Sequence, residues 1–145
     1  MVSVLKKWFD EFLGEEQFDE AHILPEVIED ICAVARGSAP KEMVAFLTGS
    51  VQKRKGRKIL TIDGLYLKSY DASSYATSFT THDLPSTGVY GTVHSHPSGS
   101  NLPSRQDKRL FNSYGWFHLI VAAPYSRETI ASYNKYGERI DTIEY

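Results

Sequence analysis

The segment Gly91-Thr92-Val93-His94-Ser95-His96-Pro97 carries two histidines separated by one residue. On a strand, residues two apart share a face, so His94 and His96 can offer both imidazoles to one point while Ser95 faces away. Asp107 follows after ten intervening residues, enough chain to bring the start of a following helix over the strand end. Two neutral imidazoles and one carboxylate are ligands that zinc accepts at about 2.0–2.2 Å, with a fourth position left for water. Water held there ionises near pH 7 rather than at about 15.7, which makes it a usable nucleophile beside a cation that polarises a carbonyl. The expected metal ligands are therefore His94, His96 and Asp107, holding one zinc per chain with a bound catalytic water.

Hydrolysis at such a centre needs a group that takes the water proton and passes it to a leaving amine. Glu42 stands just before the apolar run Met43-Val44-Ala45-Phe46-Leu47, a charged residue at the mouth of a strand, and is the candidate general acid/base. Ser104, one helical turn before Asp107, can donate its hydroxyl to an oxyanion. Taken singly, each piece has a plainer reading. An alternating histidine pair can be exposed or hydrogen-bonded, Glu42 can be a solvated strand end, and Ser-x-x-Asp can be only a helix N-terminus with Ser104 as its cap. A cap and a ligand are compatible, because capping fixes the helix start and so aims Asp107.

The elements that must position these residues follow from periodicity. Leu24, Val27, Ile28, Ile31, Val34 and Ala35 keep a 3.6-residue repeat, with Pro25 in a first turn that tolerates it, and predict a helix ending at Gly37. Ala39-Pro40 then forces extended chain into a buried strand at Met43–Leu47, closed by Gly49. Gly56 within Lys53–Lys58 marks a hairpin turn leading to a strand over Ile59–Leu67. Further strands are expected at Ala76–Thr80, Val89–His94, Phe117–Ala123, Thr129–Asn134 and Arg139–Ile143, and a helix at Ser104–Asn112 after the Pro97–Pro103 loop. Upstream, Val4, Leu5, Trp8, Phe9, Phe12 and Leu13 form the apolar stripe of a short helix stopped by Gly14, followed by an acidic connection to Glu20. The expected division is residues 1–20 for that helix and connection and 21–145 for an α+β domain, a mixed or mostly antiparallel sheet with a helix on each side.

Bulk properties narrow the partners. The 145 residues fit one such domain, and 41% hydrophobic with 23% charged residues is ordinary for a globular chain. A formal charge of −2 gives nucleic-acid binding no electrostatic support, and the basic run Lys53–Lys58 reads as a solvated turn. The single cysteine, Cys32, lies among Ile28, Ile31 and Val34 and reads as core. Residues 1–13 read as neither signal peptide nor membrane span, so a cytoplasmic location is expected. His22, His82 and His118 have no ligand spacing and read as structural or surface residues. The oligomeric state is left open.

The order Glu42, then His94-Ser95-His96-Pro97, then Ser104-x-x-Asp107 resembles the motif of the JAMM (MPN+) metalloproteases, a Glu followed by H-x-H-P-x(6)-S-x-x-D. The similarity runs from about residue 24 onward and takes in the Tyr90–Val93 approach strand and the Trp116–Pro124 strand. The resemblance implies a cytidine deaminase-like α/β sandwich, zinc on His94, His96 and Asp107, and Glu42 as acid/base. It also implies cleavage of peptide or isopeptide bonds next to the C-terminal glycines of ubiquitin or ubiquitin-like conjugates. The segments at 66–88 and 97–103 are then expected to guide the substrate tail, Ala76–Thr80 by pairing with it as a strand. Without the long insertions of larger relatives, the chain is more similar to compact prokaryotic forms. The alternatives from the same resemblance are a sulfur-carrier processing peptidase and a non-catalytic scaffold.

Overall fold

A computed structural model describes residues 18–67 and 88–144. The expected helix over 3–13, the expected strand Ala76–Thr80 and His82 lie outside the described residues. In chain order the elements are β1 (Glu20–Ile23), α1 (Pro25–Ser38), β2 (Val44–Arg54), β3 (Arg57–Tyr66), β4 (Val89–His96), α2 (Arg105–Ser113), β5 (Phe117–Ala122), a 3-10 turn (Arg127–Thr129), β6 (Ile130–Asn134), β7 (Arg139–Ile140) and β8 (Ile143–Glu144).

The strands form one sheet in the order β7-β6-β5-β4-β2-β3-β1-β8. It is mixed, as expected: β4 runs parallel to β5 but antiparallel to β2, and β1 runs parallel to both of its neighbours. The two helices take opposite faces. Phe117, Leu119 and Val121 of β5 join Val27, Ile28, Ile31 and Ala35 of α1 in the larger core, while Ile120 joins Phe111 of α2 on the other side. All six residues of β5 are buried, the pattern of a strand covered on both faces.

Several boundaries differ from the periodicity reading. Gly37 does not stop α1, which continues through Ser38. The stop comes from Pro40, whose ring pushes Ala39 out of the helical region, to φ −55° and ψ 140°. Nor does Gly49 close β2. The strand runs on to Arg54, and Gly49 sits at a β-bulge where a Cβ would overlap the Thr61 carbonyl oxygen. Lys55 and Gly56 both have positive φ, the backbone of a two-residue hairpin loop, so the basic run is the predicted turn. The acidic connection ends earlier than expected, because Glu20 already opens β1 against β3. Residues 139–143 form two short strands rather than one.

Cys32 is buried in the α1 face, and burial pushes its thiol up, as for an inert core cysteine. His118 proves structural too. Its ring is fully buried, Nδ1 accepts from the Thr92 backbone N–H at 3.2 Å and pairs with the Thr92 hydroxyl at 2.8 Å, and Nε2 donates to the Gly115 carbonyl at 3.0 Å. Those bonds satisfy the neutral ring, and Phe111 stacks on it with centroids 4.4 Å apart. Burial pushes the His118 pKa down to about 3. An unfolded chain takes up that proton near pH 6.5, so between about pH 6.5 and 3 the unfolded state holds one more proton and stability falls as pH falls. The expected slope is about 1.4 kcal/mol per pH unit. Urea unfolding from pH 7 to 4 should show a shallower decline for His118→Gln than for the native chain; parallel declines would mean that His118 is not neutral when folded.

Candidate metal centre

The edge of β4 nearest α2 carries the site. The register pairs Val44 with His94 across β2 and β4, so both lie on the face that α2 covers. Ser95 faces the other way, as the alternation predicts, and is fully buried. Its hydroxyl accepts from the Met43 N–H at 2.7 Å, and its own N–H donates to the Met43 carbonyl at 3.0 Å. These two bonds carry the pairing of β2 with β4 one residue beyond Val44. They bring Glu42, the next residue outward, alongside His96 on the α2 face, where an exposed Glu42 lines the same cavity as His96, Ser104 and Asp107. That cavity, of about 390 Å³, is also bordered by Pro97, Ser98 and Gln106.

Asp107 arrives from α2. Ser104 is the N-cap: its hydroxyl accepts from the Asp107 N–H at 3.1 Å, and the Asp107 carboxylate accepts from the Ser104 N–H at 2.8 Å. The reciprocal pair is a capping box with aspartate in the third position. It leaves the carboxylate clamped at the head of the helix, where the axial dipole favours negative charge. One turn on, Phe111 wedges between α2 and the sheet, against His94 at 6.0 Å and on His118, and sets the height of the helix over β4. The carboxylate oxygens then face the two imidazoles, Oδ1 at 3.0 Å from His94 Nε2 and Oδ2 at 3.1 Å from His96 Nε2.

One donor atom from each of the three residues lies within 4.8 Å of the others. A tetrahedral ion holding its ligands at about 2.1 Å spaces them about 3.4 Å apart, so the set fits such an ion. His94 supplies an independent sign. It is 1% exposed, and among the described residues neither ring nitrogen has a hydrogen-bond partner; Nε2 meets Asp107 Oδ1 at 3.0 Å only as a charge contact. A buried group left without a partner costs about 1–3 kcal/mol, and a cation at the shared point removes that cost for Nε2. His96 is oriented from behind, its Nδ1 donating to the Ser100 carbonyl at 2.9 Å, which turns Nε2 toward Asp107 Oδ2 at 3.1 Å on the site side.

The charges are coupled. Burial pushes the Asp107 carboxyl up, but the His94 and His96 rings and the Ser104 N–H together outweigh it and hold the group well below the usual carboxylate range. The Asp107 carboxylate in turn raises His96 against the opposing effect of partial burial, and the Ser100 carbonyl and the Glu42 charge push the same way. Four of the five residues singled out from the sequence, His96, Asp107, Ser104 and Glu42, line one cavity, and His94 lies behind them with its donor atom in the same cluster as those of His96 and Asp107.

Comparison with known proteins identifies the fold and the family. Residues 24–135 match the family of prokaryotic homologs of the JAB domain. This chain belongs to that family. A JAB1/MPN domain protein from Archaeoglobus fulgidus superposes with a TM-score of 0.65 at 28% identity, over 85% of this chain and 97% of that one. A structure described as JAMM, a metalloprotease-like zinc site in the proteasome and signalosome, gives 0.65 and 28% over 87% and 98%. A probable metalloprotease from Haloferax volcanii is 27% identical over 103 residues, 68% of this chain; the match spans 63% of the relative's own length. The JAB/MPN fold accounts for the mixed sheet with a helix on each face.

Sequence reasoning missed Phe111, the Ser95–Met43 bond, and the bonds that anchor the 97–103 loop through Asn101 to Thr129 and Tyr133. Phe111 could have been found, since it lies four residues after Asp107 on the same helical face. The bond from Ser95 to Met43 and the anchors of the 97–103 loop join residues far apart in the chain and left no local signal. The capping box makes a direct prediction. Ser104→Ala should lower stability by about 1 kcal/mol, and Ser104→Thr should retain most of it. Urea denaturation of the three proteins checks this, and an Ala variant as stable as the native chain would remove the box from the account of how Asp107 is held.

Proposed function

We propose that this JAB-family chain is a zinc metallopeptidase that hydrolyses the peptide or isopeptide bond after the C-terminal glycines of a ubiquitin-like modifier. The convergence of His94, His96 and Asp107, with a buried and otherwise unpartnered His94 Nε2, carries the reading. Those three residues would hold one zinc, whose borderline-soft character suits two imidazoles and a carboxylate. When bound, zinc supplies a Lewis acid and a water acidic enough to ionise near pH 7.

The chain's own residues do the rest. Glu42, on the cavity wall beside His96, accepts a proton from the attacking water and returns it to the leaving amine as the C–N bond breaks. The Ser104 oxygen is occupied as the acceptor of the Asp107 N–H, which leaves its hydroxyl hydrogen free to donate to the oxyanion. The 97–103 loop borders the cavity through Pro97 and Ser98 and meets the substrate tail. A protein substrate accords with the likeness to a probable metalloprotease and to a JAMM zinc site. No helix among the described residues is long and apolar enough to cross a membrane. The scaffold alternative is disfavoured by the intact ligand set, and nothing here singles out a sulfur-carrier substrate.

Incubation with a ubiquitin-like protein joined through its terminal Gly-Gly to a lysine amine should give cleavage that a chelator abolishes and zinc restores. Glu42→Ala should keep its zinc and lose about 10²–10⁴-fold in turnover, the usual range for a general acid/base. His94→Ala should lose both. Cleavage that survives chelation, or an active Glu42→Ala protein, would overturn the mechanism.

A further inference from the structure

We infer that Tyr133 and Asn101, on separate elements, are positioning residues that set the second metal ligand, His96, by holding the Ser100 carbonyl behind it; this rests on the metal reading above. The loop from Pro97 to Pro103 is mostly exposed, yet its middle is tied down. Tyr133, 2% exposed on β6, sends its hydroxyl out of the Phe111–Ile120–Ala131 cluster to donate to the Asn101 carbonyl at 2.7 Å. The Asn101 side-chain NH2 donates to the Thr129 carbonyl at 3.1 Å, at the end of the 3-10 turn. One residue back, the Ser100 carbonyl accepts from His96 Nδ1 at 2.9 Å. The neighbouring backbone is held as well, by Ala123 N–H to the carbonyls of His96 and Ser98 and by Leu102 N–H to the Ser100 hydroxyl.

A carbonyl can only accept, so this contact holds the ring through Nδ1 while Nε2 faces the Asp107 carboxylate at 3.1 Å on the site side, and the two contacts fix the ring plane. A carbonyl on an untethered, exposed loop of Ser, Gly and Asn would sample many positions and would not fix the ring plane. Tyr133 and Asn101 remove that freedom from two sides, one from the core of β6 and one from the turn that precedes it. The same Tyr133 ring lies against Phe111 at 5.8 Å, so one side chain braces both the loop behind His96 and the helix that carries Asp107.

The test uses the full chain and three variants. Tyr133→Phe deletes only the hydroxyl and keeps the ring against Phe111. Asn101→Ala deletes the second tie on a half-buried loop position. Thr48→Ala on β2, which loses an exposed bond to Asp63 of β3, is the control. Zinc dissociation constants come from competition with a chromophoric chelator, and the order of the loop is read by amide hydrogen exchange at Leu102, whose N–H bonds the Ser100 hydroxyl, in the metal-free protein. We expect zinc binding about tenfold weaker in Tyr133→Phe and Asn101→Ala, within the range for outer contacts of a metal-bound histidine, and unchanged in Thr48→Ala. The Leu102 amide should exchange slowly in the native chain and faster in the two loop variants. Native zinc affinity together with unchanged Leu102 exchange in both would overturn the inference. If the native chain binds no zinc, the metal reading falls by itself, and the exchange measurement alone decides whether Tyr133 and Asn101 hold the loop behind His96.

Discussion

The Asp107 carboxylate is the group on which the site depends, because two different requirements meet on its two oxygens. As part of the capping box it accepts the Ser104 N–H and starts α2; as a charge it faces both imidazoles at about hydrogen-bond distance. A buried carboxylate so placed must be balanced by cations or donors, since burial alone would drive it neutral. The two histidines and the helix N-terminus supply that balance in the described structure, and a divalent ion between them would supply more of it. The start of α2 and the arrangement of the three candidate ligands are therefore one structural fact.

Around that carboxylate the sheet works as a ruler. β4 sits between an antiparallel and a parallel neighbour, so its end is held from both sides while its α2 face stays open to the helix. The Ser95–Met43 bonds extend the pairing just far enough to deliver Glu42 to the cavity rim, and then the chain turns away toward Pro40. Phe111 and His118 form a stacked layer beneath, rigid because every polar atom of His118 is satisfied. Precise placement of reacting groups comes from such second contacts more than from the groups themselves.

Much of this was legible from residue order. Alternation along a strand put His94 and His96 together and turned Ser95 away, because a period of two leaves no other choice. The periodic stripe of α1 and the paired strands around Gly56 were equally local and came out as expected. Where the reading slipped, a nonlocal or competing cause was at work. Gly37 looked like a stop, yet Pro40 two residues past the helix imposed it. Gly49 looked like an end, yet the close approach of Thr61 from the neighbouring strand required a glycine in mid-strand. β1 carried too short a pattern to stand out from the acidic stretch before it, and only pairing with β3 and β8 makes it a strand.

By itself, the sequence determined which chemistry is available: two imidazoles on one face, a carboxylate at a helix start and a second carboxylate at a strand mouth, each dictated by backbone geometry over a few residues. Tertiary structure alone decided that these four meet. Glu42 is brought to the cavity by the bonds of Met43 to Ser95, Asp107 by the packing of Phe111, and the loop behind His96 by Tyr133, all contacts between residues far apart in the chain. Spacing cannot encode such distances, because they depend on how whole elements stack around a shared core.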